Sequence, residues 1–260
     1  MTRPPAPLKW RTPQLRRGAS AQQLAAAVLD AALAQVRGNA RGALESAGPE
    51  YLHQLRVGLR RYRAALRVFR AVLRRKPREL LARRARAAMR PLGEVRDWDV
   101  FIERLPASKA PEALVQQARQ RRDAAHAALK ALDLSALEPP PGAWKAKARS
   151  PDDLRSRVLP KLRRKAARRA SGMDWRDPAG RHRLRIDIKR LRYAADFLGG
   201  DTRALEDLQE TLGKLNDLAV ARRLLEGLRA PPKVVRKMAA GEGRLIAAAR
   251  RQLASLQAED

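Results

Sequence analysis

One motif occurs twice, and it constrains most of what this chain can fold into. His53–Arg63 reads HQLRVGLRRYR and His182–Arg192 reads HRLRIDIKRLR; five of the eleven positions are identical, and three more exchange Val for Ile, Leu for Ile or Arg for Lys. A second element follows each copy in the same order. Leu92-Gly93-Glu94-Val95-Arg96-Asp97 precedes Val100, and Leu212-Gly213-Lys214-Leu215-Asn216-Asp217 precedes Val220. Two matched elements in matched order point to a tandem duplication.

The first copy lies in a stretch, Tyr51–Arg75, with helical periodicity. Gly48-Pro49-Glu50 suits a helix start and Pro77 a stop. At about 100° per residue, Leu55, Leu59, Tyr62, Leu66 and Phe69 share one face. His53, Arg56, Arg60, Arg63 and Arg67 fall on an adjacent stripe, a rail of cations beside the core. No acidic residue occurs across Tyr51–Lys76, so the rail has no internal counterions. The whole chain is equally unbalanced, with 57 Lys and Arg against 27 Asp and Glu, a formal net charge of +30. Such an excess repels itself without an anionic partner. Arginine offers bidentate donors to phosphate oxygens, so the rails read as phosphate-binding surfaces. A solvated basic face is the plainer alternative, but duplication and position beside the core argue against it.

Ala, Leu, Arg and Glu dominate and no sustained period-two run appears, so the expected class is all-α. Residues 1–18, with Pro4, Pro5, Pro7 and Pro13, read as a loose basic tail. The remainder, 19–258, reads as two halves, 19–132 and 150–258, joined by 133–149 with its Pro139-Pro140-Pro141-Gly142 run. Helices are expected from Ser20 to Val36 or beyond, from Pro77 to Leu105 with a break or kink at Pro91, and from Pro111 to Leu132. In the second half they are expected over Pro151–Ala170 with a kink at Pro160, from Pro178 to Gly199, and from Thr202 to Leu228. The last runs from Pro232 to Gln257 and tolerates Gly241 and Gly243. Gly93 and Gly213 stand inside helices at matching places, where each costs roughly 1 kcal/mol relative to Ala; close helix packing or a passing ligand would explain them.

No apolar run is long enough to cross a membrane. Arg16-Arg17 ahead of Leu24–Val36 imitates an export signal, but Gln22, Gln23, Asp30 and Gln35 break that run, so a cytoplasmic location is expected. The absence of cysteine removes disulfides, thiolate metal sites and cysteine nucleophiles.

His53 and His182 open the two rails. Each either bonds a backbone carbonyl or an Asp, or touches ligand, and the surrounding cations should lower its pKa. No His or Glu stands four residues away to complete a metal site, and His126, without a repeat partner, reads as incidental. Asp97, Asp99 and Asp217 follow the glycine elements. They fit divalent-metal binding less well than a supporting role, in which Asp97 and Asp217 hold rail arginines in place. No phosphate-cradling G-x-x-x-x-G-K-[ST] loop and no G-x-S-x-G nucleophile motif is present. The ten aromatics are too few, and too core-like in spacing, for a base-stacking surface. By composition alone, DNA or RNA remains a competitor for the rails.

The two H-x-L-R rails and the elements L-G-E-V-R-D-x-D-V and L-G-x-L-N-D resemble the CHAD domain, a family named for a conserved histidine and an α-helical fold. The resemblance spans Gln22 to about Leu256. It implies two pseudo-symmetric four-helix bundles with a basic central channel, and it decides for inorganic polyphosphate over nucleic acid. The residues expected to bind it are His53, Arg56, Arg60, Arg61, Arg63, Arg67, His182, Arg185, Lys189, Arg190 and Arg192. The E-x-E-x-K signature of the CYTH triphosphate hydrolases that accompany such domains is absent. Neither catalysis nor a cofactor nor a metal is therefore expected, no membrane partner is expected, and oligomeric state is left open.

Overall fold

The computed structural model describes residues 4–16, 18–145 and 150–258; part of the expected tail (1–3 and Arg17) and part of the expected joint (146–149) lie outside them. The chain is all-α. Its helices are α1 (Ala21–Leu44), α2 (Pro49–Val68), α3 (Arg75–Arg104), α4 (Glu112–Ala127), α5 (Pro151–Ser171), α6 (Pro178–Leu198), α7 (Arg203–Gly227), α8 (Pro232–Ala239) and α9 (Glu242–Ala258). No strand occurs among the described residues; an isolated bridge pairs Leu73 with Trp144. None of these helices is long and apolar enough to cross a membrane.

Local chemistry sets the starts and stops. Ser20 and Gln23 close a capping box on α1, each side chain accepting from the other's backbone N–H, at 3.2 and 2.8 Å. Asp177 caps α6 by accepting from the N–H of Ala179 and Gly180, both at 2.8 Å. Gly199, with φ 73°, closes α6 in the left-handed conformation that glycine adopts without strain.

Three expected boundaries differ. The first rail helix ends at Val68 instead of Arg75. Phe69, Val72 and Leu73 are all buried, which requires the chain to turn there. The turn exposes backbone groups that residues 143–145 satisfy: Arg74 N–H donates to Ala143 O at 2.8 Å and Lys145 N–H to Val72 O at 3.0 Å. The break allowed at Pro91 does not occur, since α3 runs through it, and α5 runs through Pro160, where no break was expected. Each ring removes one donor, while buried Ala88, Leu92 and Val95 beside Pro91, and Leu159 beside Pro160, anchor the helix across it. The last helix, in contrast, divides into α8 and α9 at Gly241, whose φ of 88° leaves the helical region.

By proximity of the backbone, the described residues form two compact units, Met1–Arg96 with Asp123–Val158, and Asp97–Arg122 with Leu159–Asp260. In the first, α2 packs along α1. The expected core face of α2 is fully buried, with Leu55, Leu59, Tyr62 and Phe69 at 0% exposure and Leu66 at 1%. Burial of this kind stabilises by about 1.5–3 kcal/mol per large side chain. Gly58 sets how near the two helices come, since a Cβ there would lie 2.9 Å from Val36 Cγ2 and 3.1 Å from Ala32 O. The N-terminal stretch is not loose over its described part. Leu8 is bracketed by Asn39, which accepts from its N–H at 3.1 Å and donates to its carbonyl at 2.8 Å. His126 also has a place, with its Nε2 2.8 Å from Ala43 O.

In the second unit α7 contacts α6, α8 and α9. Arg181, only 4% exposed, donates to Trp175 O at 2.7 Å and to Glu242 at 2.6 Å. Glu242 also receives Arg222 at 3.0 Å. A buried charge is thereby satisfied on more than one side, as its removal from water requires.

Candidate functional site

On α2 the rail stands as the helical wheel predicts. His53, Arg56, Arg60 and Arg63 are half-buried along one edge and Arg67 is exposed at the end. Arg61 differs, since it lies one residue round the wheel, beside Tyr62. It is 9% exposed, and its guanidinium carbon sits 4.3 Å from the centre of the Trp10 ring. Stacked there, it holds the N-terminal stretch and presents little to solvent.

A second row of cations faces this edge. Arg83, Arg86 and Arg90 recur at helical spacing on α3, all exposed, with Gly93 three residues on. Together α2 and α3 form a groove of about 590 Å³ lined by Arg56, Arg63, Arg83, Arg86, Ala87, Met89, Arg90 and Gly93. Five of these are arginines, and among the described residues none of the lining side chains is a carboxylate. Gly93 has a local reason here, because a Cβ would lie 3.3 Å from Arg56 Nη1. It leaves the space the guanidinium uses, and tight packing against another backbone is not what it serves.

His53 lies at the head of this rail, and its pKa falls from 6.5 to about 4. Burial is the main cause; Arg96, Arg60 and Arg56 reinforce it, while Glu50 opposes. At neutral pH this imidazole is uncharged.

The second rail is wired differently. Its Asp187 replaces Gly58 of the first and is buried, with a side chain 3% exposed. It gathers Arg169 at 2.5 Å, Arg190 at 3.1 Å and Lys165 at 3.3 Å. Burial works to raise its pKa, yet the hydrogen bonds from Arg169 and Lys165 outweigh it and hold the carboxyl below its usual range. Arg192 is 8% exposed, reaching Gln209 at 2.9 Å and Glu206 at 3.1 Å and lying 4.5 Å over the Tyr193 ring. Arg185 and Lys189 are half-buried, and His182 is exposed with Nδ1 2.7 Å from Asn216 Oδ1.

Of the carboxylates expected to steady the rails, Asp97 meets Arg223 of α7 at 3.3 Å and Asp99 meets Arg122 at 3.1 Å; Asp217 is half-buried. The acids that hold rail cations in the second unit are instead Asp187, on the rail itself, and Glu206. Among the described residues no group of three or more His, Cys, Asp or Glu gathers as a metal site would need.

An all-α chain with two basic rails of matching sequence, each beginning in a histidine, defines the class of domain to compare. The CHAD domain family matches residues 27–226, and the chain belongs to that family. Among solved structures it is similar to the crystal structure of the CHAD domain from the plant Ricinus communis, with TM-score 0.71 and 31% identity over 96% of this chain and 91% of that one. PptA from Streptomyces chartreusis shares the fold, with TM-score 0.66 and 18% identity over 92% of this chain and 98% of that one. No curated protein sequence matches the chain.

Proposed function

We propose that this CHAD domain is a non-catalytic binder of inorganic polyphosphate. The observation that carries this reading is the α2–α3 groove, where five guanidinium groups line one cleft with no carboxylate among the described lining residues. Each charge-assisted bond to a phosphate oxygen contributes about 1.5–3 kcal/mol, so a few suffice for tight binding. The lining offers arginine, alanine, methionine and glycine, and no ring on which a base could stack, which favours a base-free polyanion. Charge and geometry support a polyanion in general; the choice of polyphosphate rests on the family resemblance. In cells the protein would be cytoplasmic and collect on polyphosphate granules.

The test is a titration of long-chain polyphosphate against single- and double-stranded DNA of matched charge at about 0.15 M salt, where screening is physiological. Polyphosphate should bind at least tenfold more tightly. Equal affinities would assign the groove to nucleic acid, and orthophosphate release with Mg²⁺ or Mn²⁺ would make the protein an enzyme.

A further inference from the structure

We infer that residues 4–10 are a tethered peptide ligand docked on a site built by α1 and α2, and that this strap competes with the polyanion for Arg61. The competition rests on the polyanion reading above; the docking does not.

The site reads an extended backbone. Asn39 of α1, 0% exposed, accepts from the Leu8 N–H at 3.1 Å and donates to the Leu8 carbonyl at 2.8 Å, so one buried amide holds both polar groups of one residue. An amide placed this way does for a docked segment what a sheet edge does for an added strand. The Leu8 side chain lies over Gly38, where a Cβ would stand 2.8 Å from its Cδ2 and 3.1 Å from its Cβ. Trp10, two residues on, stacks on Arg61 of α2, and Lys9 between them is exposed, the alternation of an extended chain. Tyr51 Oη donates to the Pro4 carbonyl at 3.4 Å. Pro4, Pro5 and Pro7 fix φ before docking and so reduce the entropy lost when the strap is ordered.

What the strap covers links it to binding. Arg61 belongs to the rail helix and stands in sequence between Arg60 and Arg63, yet with the Trp10 ring 4.3 Å from its guanidinium carbon it is only 9% exposed. A phosphate chain running along α2 gains that guanidinium only when Trp10 leaves it. Linkage makes the effect reciprocal: the factor by which release of the strap raises polyanion affinity is the factor by which bound polyanion favours release.

Two variants lift the strap by different means and keep every charge. Gly38→Leu puts a helix-favouring side chain where Leu8 sits, at an exposed position of α1. Trp10→Ala removes the stack. Each should bind long-chain polyphosphate about fivefold more tightly than wild type, a fraction of one full charge-assisted contact. Adding Arg61→Gln to either should return affinity to within about twofold of wild type, which ties the gain to that residue. In wild type, hydrogen exchange at the Leu8 amide should quicken by the same factor of about five when polyphosphate saturates the protein. Without ligand, that amide should exchange at least about tenfold faster in Gly38→Leu than in wild type. Circular dichroism should match wild type, and Trp10→Ala carries the test if Gly38→Leu does not fold. Unchanged or weaker binding in the released variants, or Leu8 exchange that polyphosphate slows or leaves alone, would overturn the competition and leave polyphosphate binding intact. Unchanged Leu8 exchange in folded Gly38→Leu would overturn the docking site. If DNA of matched charge binds as tightly as polyphosphate, the proposed function falls and the same comparison is read on DNA. A chain that binds neither would sink the proposed function and the competition together, while Leu8 exchange in Gly38→Leu still decides the docking.

Discussion

The rails on α2 and α6 share one sequence motif but stand in different surroundings. On α2 the position of Gly58 is spent on closeness: α1 lies against it, and the rail cations stand at the edge of a tight helix pair. On α6 the same position carries Asp187, and the nearby cations turn inward to it. The difference shows that matched rows of cations can stand in unlike surroundings. What changes is the neighbour at one position, a helix backbone beside Gly58 and a carboxylate at Asp187. Predictions that remove one partner from either arrangement test this, and they differ in size.

The largest effect should come from Asp187→Asn. It leaves three cations converging on a buried neutral amide, and breaking a buried ion pair from one side typically costs about 3–5 kcal/mol. Because Lys165, Arg169 and Arg190 are each at least 32% exposed and can relax toward water, about 2–3 kcal/mol is expected in urea unfolding. A loss below about 0.5 kcal/mol would mean that Asp187 is dispensable and the second rail is not held by it. Polyphosphate affinity should not fall, since the change frees cations.

Next in size is Gly58→Ala in the other copy. The added methyl meets Val36 Cγ2 and the α1 backbone at about 3 Å, where the backbone has little room to yield. Overpacking of this kind costs about 1–3 kcal/mol, more than the roughly 1 kcal/mol that alanine gains in helix propensity. A more stable variant would show that α1 and α2 are free to separate.

How much of this could be read in advance follows from which forces are local. The core face of α2, the start of α6 at Pro178 and its stop at Gly199 were legible because periodicity and backbone conformation are properties of a few neighbouring residues. The early end of α2 at Val68 was not, since it depends on residues 143–145, some seventy positions away. Of the two outcomes expected at Pro91, the break does not occur, because buried Ala88, Leu92 and Val95 carry α3 through it. Arg83, Arg86 and Arg90 do carry a helical spacing, yet α3 has arginines on several faces, and only the neighbouring rail distinguishes this one. Arg61 and Arg192 were expected to meet ligand but face Trp10 and Tyr193 instead, because identity of residue type does not report the direction a side chain takes. Asp187 was visible in the aligned motifs, and its contrast with Gly58 was the available clue.

A smaller effect should appear with pH. The folded pKa of His53, about 4, lies below its ordinary 6.5, so between those values the unfolded chain binds the extra proton. Stability contributed by neutral His53 is therefore complete above about 6.5 and is lost as pH falls toward about 4. Replacing it by Gln should flatten the stability profile in that window by about 1 kcal/mol, after allowance for its partial exposure. Asp187, whose pKa is lowered, acts below this window and should not mask it. Curves for wild type and His53→Gln that run parallel from pH 7 to 4.5 would place the histidine's role elsewhere.

The finest comparison uses the matched glycines. At Gly213 a Cβ would meet nothing within 4 Å, so Gly213→Ala should only gain helix propensity, stabilising by up to about 1 kcal/mol without changing polyphosphate affinity. At Gly93 the same methyl would stand 3.3 Å from Arg56 Nη1, the far end of a flexible side chain that can give way by a few tenths of an ångström. Gly93→Ala should therefore gain nearly the same stability, yet move one guanidinium of the groove out of its place. Loss of alignment in a single charge-assisted contact corresponds to a fraction of its roughly 1.5–3 kcal/mol, or about twofold to tenfold in affinity. The pair separates backbone from site: equal thermal stabilisation with weakened binding at Gly93 alone is the expected pattern. Affinity losses that match at both positions would tie the glycines to a shared structural need, and an unchanged Gly93→Ala would release Arg56 from any role in polyphosphate binding at the groove.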